Sequence, residues 1–245
     1  MLIDLPATGA SLGDGADLVL APGRDTAAKA RGRGQEVVEL VPGPMLPGEA
    51  PDPEEAADVR AAYGIPADAR LILTVGELEA DRRPEDVAAV ARRLRHREDL
   101  YFLLVGSGRL ADTVSDLAGY FELDRFTFAP PGHPLKELVA ASDCVLSTAE
   151  VDFWPQSVSA ALALGRGVVA TDIDGVRELV AAAGFDRSVL CTPGDLDGLA
   201  AAVVAVADEH RRPRITRKAW KAAAARSSAA ARVVADALAR GKKVG

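Results

Sequence analysis

Residues Ser147 to Glu178 read STAEVDFWPQSVSAALALGRGVVATDIDGVRE. The stretch divides into an acidic loop, a short apolar helix closed by a Gly turn at Gly165, a buried strand, GVVAT at 167, and an Asp-x-Asp-Gly loop that opens a second helix. On either side the same strand-then-helix unit recurs. Apolar, often β-branched runs stand at LILTV (71), YFLLV (101), FTF (126), CVLST (144), GVVAT (167) and SVLCT (188). Helical patterns fall between and after them, at 84–96, 108–123, 135–141, 156–164, 175–183 and 196–210. Strands apolar on both faces that alternate with helices predict a parallel sheet covered on both sides, the doubly wound α/β class. Ligands in that class bind at the carboxyl ends of the strands, near the point where the strand order reverses.

In register, Leu164, Gly165, Val168, Val169, Ala170, Thr171, Asp172, Gly175 and Glu178 resemble the sugar-nucleotide-binding segment of the retaining GT-B glycosyltransferases of family 4. There an E-G-F-G loop opens a helix ending E-A-M-A-x-G, and P-V-V-A-T-D-x-G-G-x-x-E follows. The resemblance runs from about Ala16 to Asp208. It implies the Rossmann-like carboxy-terminal half of a GT-B enzyme, one that transfers a sugar with retention from a UDP- or GDP-linked donor to an acceptor and uses no cofactor. In the family, two glutamates bracket the loop and helix; the first touches the transferred sugar and the second holds the ribose hydroxyls. Counting back from Gly165 puts Asp152 and Ala160 at those places, so the first carboxylate is present but shortened and the second is absent.

The donor loops follow from the same resemblance. Phe153, Trp154, Pro155, Gln156 and Ser157 occupy the loop whose backbone N–H groups, at a helix N-terminus, would meet the donor phosphates. The plainer reading is a capped helix with a buried aromatic pair. The bulk of Phe153 and Trp154 narrows the space for a sugar. Gly76 to Arg83 matches the family's G-R-L-x-x-E-K-G, in which an Arg and a Lys clamp the diphosphate. Glu77 reverses the first charge; Arg82 keeps the second, as a phosphate cation or as a solvated loop charge. Val105 to Ala111, VGSGRLA, formally matches a dinucleotide fingerprint, yet it follows the second strand and the next strand ends without an acid. Gly108 is then either the family's turn beside the donor base or a structural tight turn. Asp172, Asp174 and Glu178 read as loop and helix-start acids as readily as ligands. The resemblance places the chemistry in donor positioning and in the acceptor half, so it implies no catalytic residue here. Two rivals remain open: a non-catalytic pseudo-transferase, favoured by Ala160 and Glu77, and one subunit of a split enzyme whose protein partner supplies the acceptor half.

Composition bounds the alternatives. The 245 residues, 49% apolar and 27% charged, suit a soluble globular protein. A net charge of -7 offers no attraction to a phosphate backbone, so nucleic acid is not an expected partner, and the basic run at 211–218 reads as a solvated helix start. Cys144 and Cys191 sit inside apolar runs as small hydrophobes, and His96, His133 and His210 lack ligand spacing, so neither a disulfide framework nor a metal site is expected. No apolar run is long enough to cross a bilayer, and residues 1–21 lack the basic start and apolar middle of a signal peptide, which predicts a cytoplasmic protein.

Two domains are expected. Residues 1–52 hold ADLVLAP at 16, a helix over 25–33, EVVELVP at 36 and a proline-rich linker over 43–53, which ends the sheet pattern. The resemblance makes this block a remnant of the acceptor-side domain. Residues 53–245 form the nucleotide-sugar-binding domain, closed by an Ala-rich helix over about 215–240 that carries Trp220.

Overall fold

The computed structural model describes residues 19–21, 24–32, 37–39, 51–152, 155–183 and 187–209. The linker over 43–50 and the terminal helix expected over about 215–240, with Trp220, lie outside the described residues. Strands β1 (Val19–Ala21) and β2 (Val37–Glu39), joined through α1 (Arg24–Arg31), pair in parallel as a two-stranded sheet.

The main sheet begins after α2 (Pro53–Ala62). Strand β3 (Arg70–Glu77) is followed by a 3-10 turn (Ala80–Arg82) and α3 (Pro84–Arg93), then β4 (Leu100–Ser107), α4 (Ala111–Tyr120), β5 (Phe126–Ala129) and α5 (Leu135–Ala141). The second half runs β6 (Cys144–Ser147), α6 (Gln156–Ala163), β7 (Gly167–Thr171), α7 (Asp174–Ala183), β8 (Ser188–Cys191) and α8 (Leu196–Asp208). All pairings are parallel, in the order β5-β4-β3-β6-β7-β8. The chain winds from β3 out to one edge, returns to β6, and winds out to the other edge, which is the doubly wound order that the six apolar runs predict.

Two apolar layers follow from the two-residue period of the strands. Leu71, Leu73, Leu103, Val105, Val145, Val168 and Ala170 pack with α2, α5, α6 and α7 on one face. Their alternates Ile72, Phe102, Leu104, Cys144, Leu146 and Val169 pack with α3, α4 and α8 on the other. Full burial on both sides explains why the strands read as continuous apolar runs. It also makes Cys144 a core residue: burial pushes its thiol up to about 12.

Helix α2 is a finding that the sequence reading lacks. Asp52 caps it, accepting from Glu54 N at 3.0 Å, while Glu55 accepts from Asp52 N at 2.9 Å and Pro53 stands in the first turn. That box satisfies backbone donors a helix start leaves open. From α2 the buried Arg60 donates to the carbonyls of Ala141, Pro66 and Ala69 and pairs with Asp143 at 3.0 Å. Asp143 also accepts from Leu71 N, so one carboxylate joins α2, β3 and the start of β6. No helix among the described residues is long and apolar enough to cross a membrane.

Candidate functional site at the sheet's switch point

Strands β3 and β6 are neighbours whose following helices lie on opposite faces. Their loops therefore diverge and leave a crevice at the carboxyl end of the sheet. The crevice is a cleft of about 520 Å³ bounded by the end of β3 from Thr74 to Glu77, by Arg82 and Pro84, by the end of β6 and its loop, and by the first residues of α6.

The predicted donor residues fall in four places. Gly76, Arg82, Asp152, Gln156 and Ser157 all line this cleft. Pro155 is the buried N-cap of α6 and is not among the lining residues. Gly108 stands in the loop after β4, where a Cβ would lie 2.5 Å from the Leu78 carbonyl oxygen, the same oxygen that accepts from Leu110 N at 2.9 Å. Its lack of a side chain lets two loops approach, and it is not among the residues that line this cleft. Phe153 and Trp154 lie outside the described residues. Asp172 pairs with Arg177 at 2.8 Å, and neither it, Asp174 nor Glu178 lines the cleft. Ala160, on α6, is fully buried in the apolar layer between that helix and the sheet.

Arg82 is the single cation among the described lining residues, and it is already engaged. Its Nη1 donates to the Val151 carbonyl at 2.6 Å and lies 3.1 Å from Asp152 Oδ1, and its Nη2 lies 3.9 Å from Glu77 Oε2. Two carboxylates thus face one guanidinium. The Asp152 side chain is 17% exposed, so its contact is screened far less than that of Glu77 at 75%.

The sequence reading missed how the two loops are joined. Asp81 O accepts from the N–H groups of Glu150 and Val151 at 2.9 and 3.3 Å. The Thr148 hydroxyl is shared between the carbonyls of Arg82 and Arg83, at 3.1 and 2.9 Å. Arg83 pairs with Asp86 at 2.6 Å and with Glu150 at 2.5 Å, and these partners, Asp86 first, hold its guanidinium above the ordinary arginine range. No local signal pointed to these contacts: the residue before a proline favours extended dihedrals, not the left-handed ones that Arg83 adopts.

Residues 55–227 match the family model described as Glycosyl transferases group 1. The chain is similar to N-acetyl-alpha-D-glucosaminyl L-malate synthase of Bacillus anthracis, 25% identical over 147 residues that cover 60% of this chain and 38% of the relative. Among solved structures it is similar to Anabaena HepE in complex with UDP and glucose, with a TM-score of 0.73 at 18% identity, covering 92% of this chain and 64% of that one. Sucrose-phosphate synthase from Thermosynechococcus elongatus gives a TM-score of 0.68 at 22% identity over 91% of this chain and 59% of that one. The chain therefore spans little more than a third of the curated relative's length. The six-stranded sheet is the Rossmann-like half of the GT-B fold.

Proposed function

The chain belongs to the group 1 glycosyl transferases, and from that premise we propose that its switch-point cleft binds the nucleoside diphosphate of a sugar donor, in a protein that transfers the sugar with retention. One observation carries this reading: five of the donor positions expected from the sequence, Gly76, Arg82, Asp152, Gln156 and Ser157, converge on one cleft at the end of β3 and β6. Arg82 is the diphosphate cation, and the N-terminus of α6, with Gln156 and Ser157 in its first turn, faces the same space. UDP is the donor nucleotide we favour, because the neighbour HepE holds UDP in its complex.

A second reading is favoured by the pairing of Arg82 with Asp152 and its nearness to Glu77. A phosphate must compete with both carboxylates, so donor affinity is low and the chain acts as a non-catalytic pseudo-transferase. Titration calorimetry with UDP separates the two, and the first reading expects binding that Arg82→Ala abolishes. Glu77→Arg replaces a repulsive charge with an attractive one and should tighten UDP at least tenfold, about 1.4 kcal/mol. No heat of binding from either the native chain or Glu77→Arg, both folded, would remove the donor reading.

A further inference from the structure

Arg83 is the strained point of this site. Its φ of 47° and ψ of 54° put a long side chain in the left-handed region, immediately before Pro84. Such a conformation persists only where the surroundings impose it, and residues of this kind gather at functional sites. The surroundings here form a clasp between the two loops of the cleft. Arg83 Nε and Nη2 engage both oxygens of Asp86, at 2.6 and 3.3 Å, in the first turn of α3. Its Nη1 then crosses to Glu150 on the loop after β6 at 2.5 Å. The hydrogen bonds from Glu150 N and Val151 N to Asp81, and from Thr148 to the Arg82 and Arg83 carbonyls, lie along the same seam.

The consequence falls on the adjacent residue. Arg82 is fixed at its backbone by that seam and at its guanidinium by Val151 O and Asp152, so its place in the cleft depends on the registration of the two loops. We propose that Arg83 is a positioning residue for donor binding: it clasps the loop after β3 to the loop after β6 and thereby holds Arg82 where a diphosphate is bound. The inference rests on the reading that the cleft takes a nucleoside diphosphate. Arginine is required because a planar guanidinium engages one carboxylate with two donors and a second carboxylate with a third, whereas a lysine ammonium is a point charge.

The test combines two measurements on the full chain and its Arg83→Ala, Arg83→Lys and Arg83→Gly variants. UDP titration should show at least tenfold weaker binding for all three, with no rescue by lysine. Arg83→Gly relieves the left-handed strain, so its thermal midpoint should not fall below that of Arg83→Ala while its affinity is equally reduced; a purely structural role would make affinity follow stability. Amide hydrogen exchange without nucleotide should show Glu150 and Val151 exchanging at least tenfold faster in Arg83→Ala than in the native chain. Folded variants that bind UDP within twofold of the native chain overturn the proposal. If the native chain binds no UDP, the donor reading falls by itself, and exchange decides the clasp: faster exchange upholds it, unchanged exchange overturns it.

Discussion

Arg60 and Asp143 are 6% and 3% exposed at their side chains, and between them they satisfy three carbonyls and one backbone N–H at the amino end of the sheet. Removing one member of such a pair leaves a buried charge without its partner, a larger effect than the net worth of the pair. Arg60→Ala should lower unfolding free energy by about 3–5 kcal/mol, read as a lower urea midpoint with an unchanged m-value. Nothing in the local sequence pairs Asp143 with Arg60, because that partner stands 83 positions earlier in the chain. Arg82 shows the same limit at the cleft. Its place in the loop after β3 could be counted out along the chain, but its engagement by Asp152 could not, since 69 positions separate it from the neighbouring Val151 carbonyl that it also holds.

Helix ends and helix contacts set the next scale. The box at the start of α2 pairs Asp52 with Glu54 N and Glu55 with Asp52 N, and Asp52→Ala should cost about 1 kcal/mol in chemical denaturation. Asp-Pro-Glu-Glu at 52–55 carried that signal in the sequence, hidden by the prolines that mark the linker beside it. Across the other face, Arg97, just beyond α3, joins Asp99 at 2.8 Å and Asp208 at the end of α8 at 2.6 Å. The hydrogen bond from Arg97 holds the Asp99 carboxyl below the ordinary aspartate range. A depressed folded value means that this stabilisation is present above the unfolded value, near pH ~3.9, and is lost as pH falls through the lower folded one. Asp99 is 43% exposed, so solvent screening limits the contribution to about 1 kcal/mol at most. Asp99→Asn should flatten the acid side of a plot of urea midpoint against pH and leave any basic limb unchanged.

For the whole molecule, we propose that residues from 53 onward form the unit that folds cooperatively, because among the described residues both apolar layers of the six-stranded sheet draw their buried members from Val59 onward. Deleting residues 1–52 should leave a far-UV circular dichroism spectrum of mixed helix and strand and a single cooperative thermal transition; loss of that transition would place the boundary elsewhere. The sequence by itself determined the order of the six strands and of the helices α3 to α8, since each carries its own apolar run or helical period within a few turns of chain, whereas α2, with little such period, escaped it. It determined the resemblance too, because Leu164 to Glu178 keeps a local spacing in which no distant partner is involved. Only the tertiary structure decided that Gly76, Arg82, Asp152, Gln156 and Ser157 share one cleft, that Gly108 lies against the Leu78 backbone, and that Arg83 bridges Asp86 and Glu150. The physical reason is distance along the chain. Hydrophobic periodicity acts between near neighbours, whereas the cleft arises where β3 and β6, separated by two complete strand-helix units, are brought side by side and their loops meet.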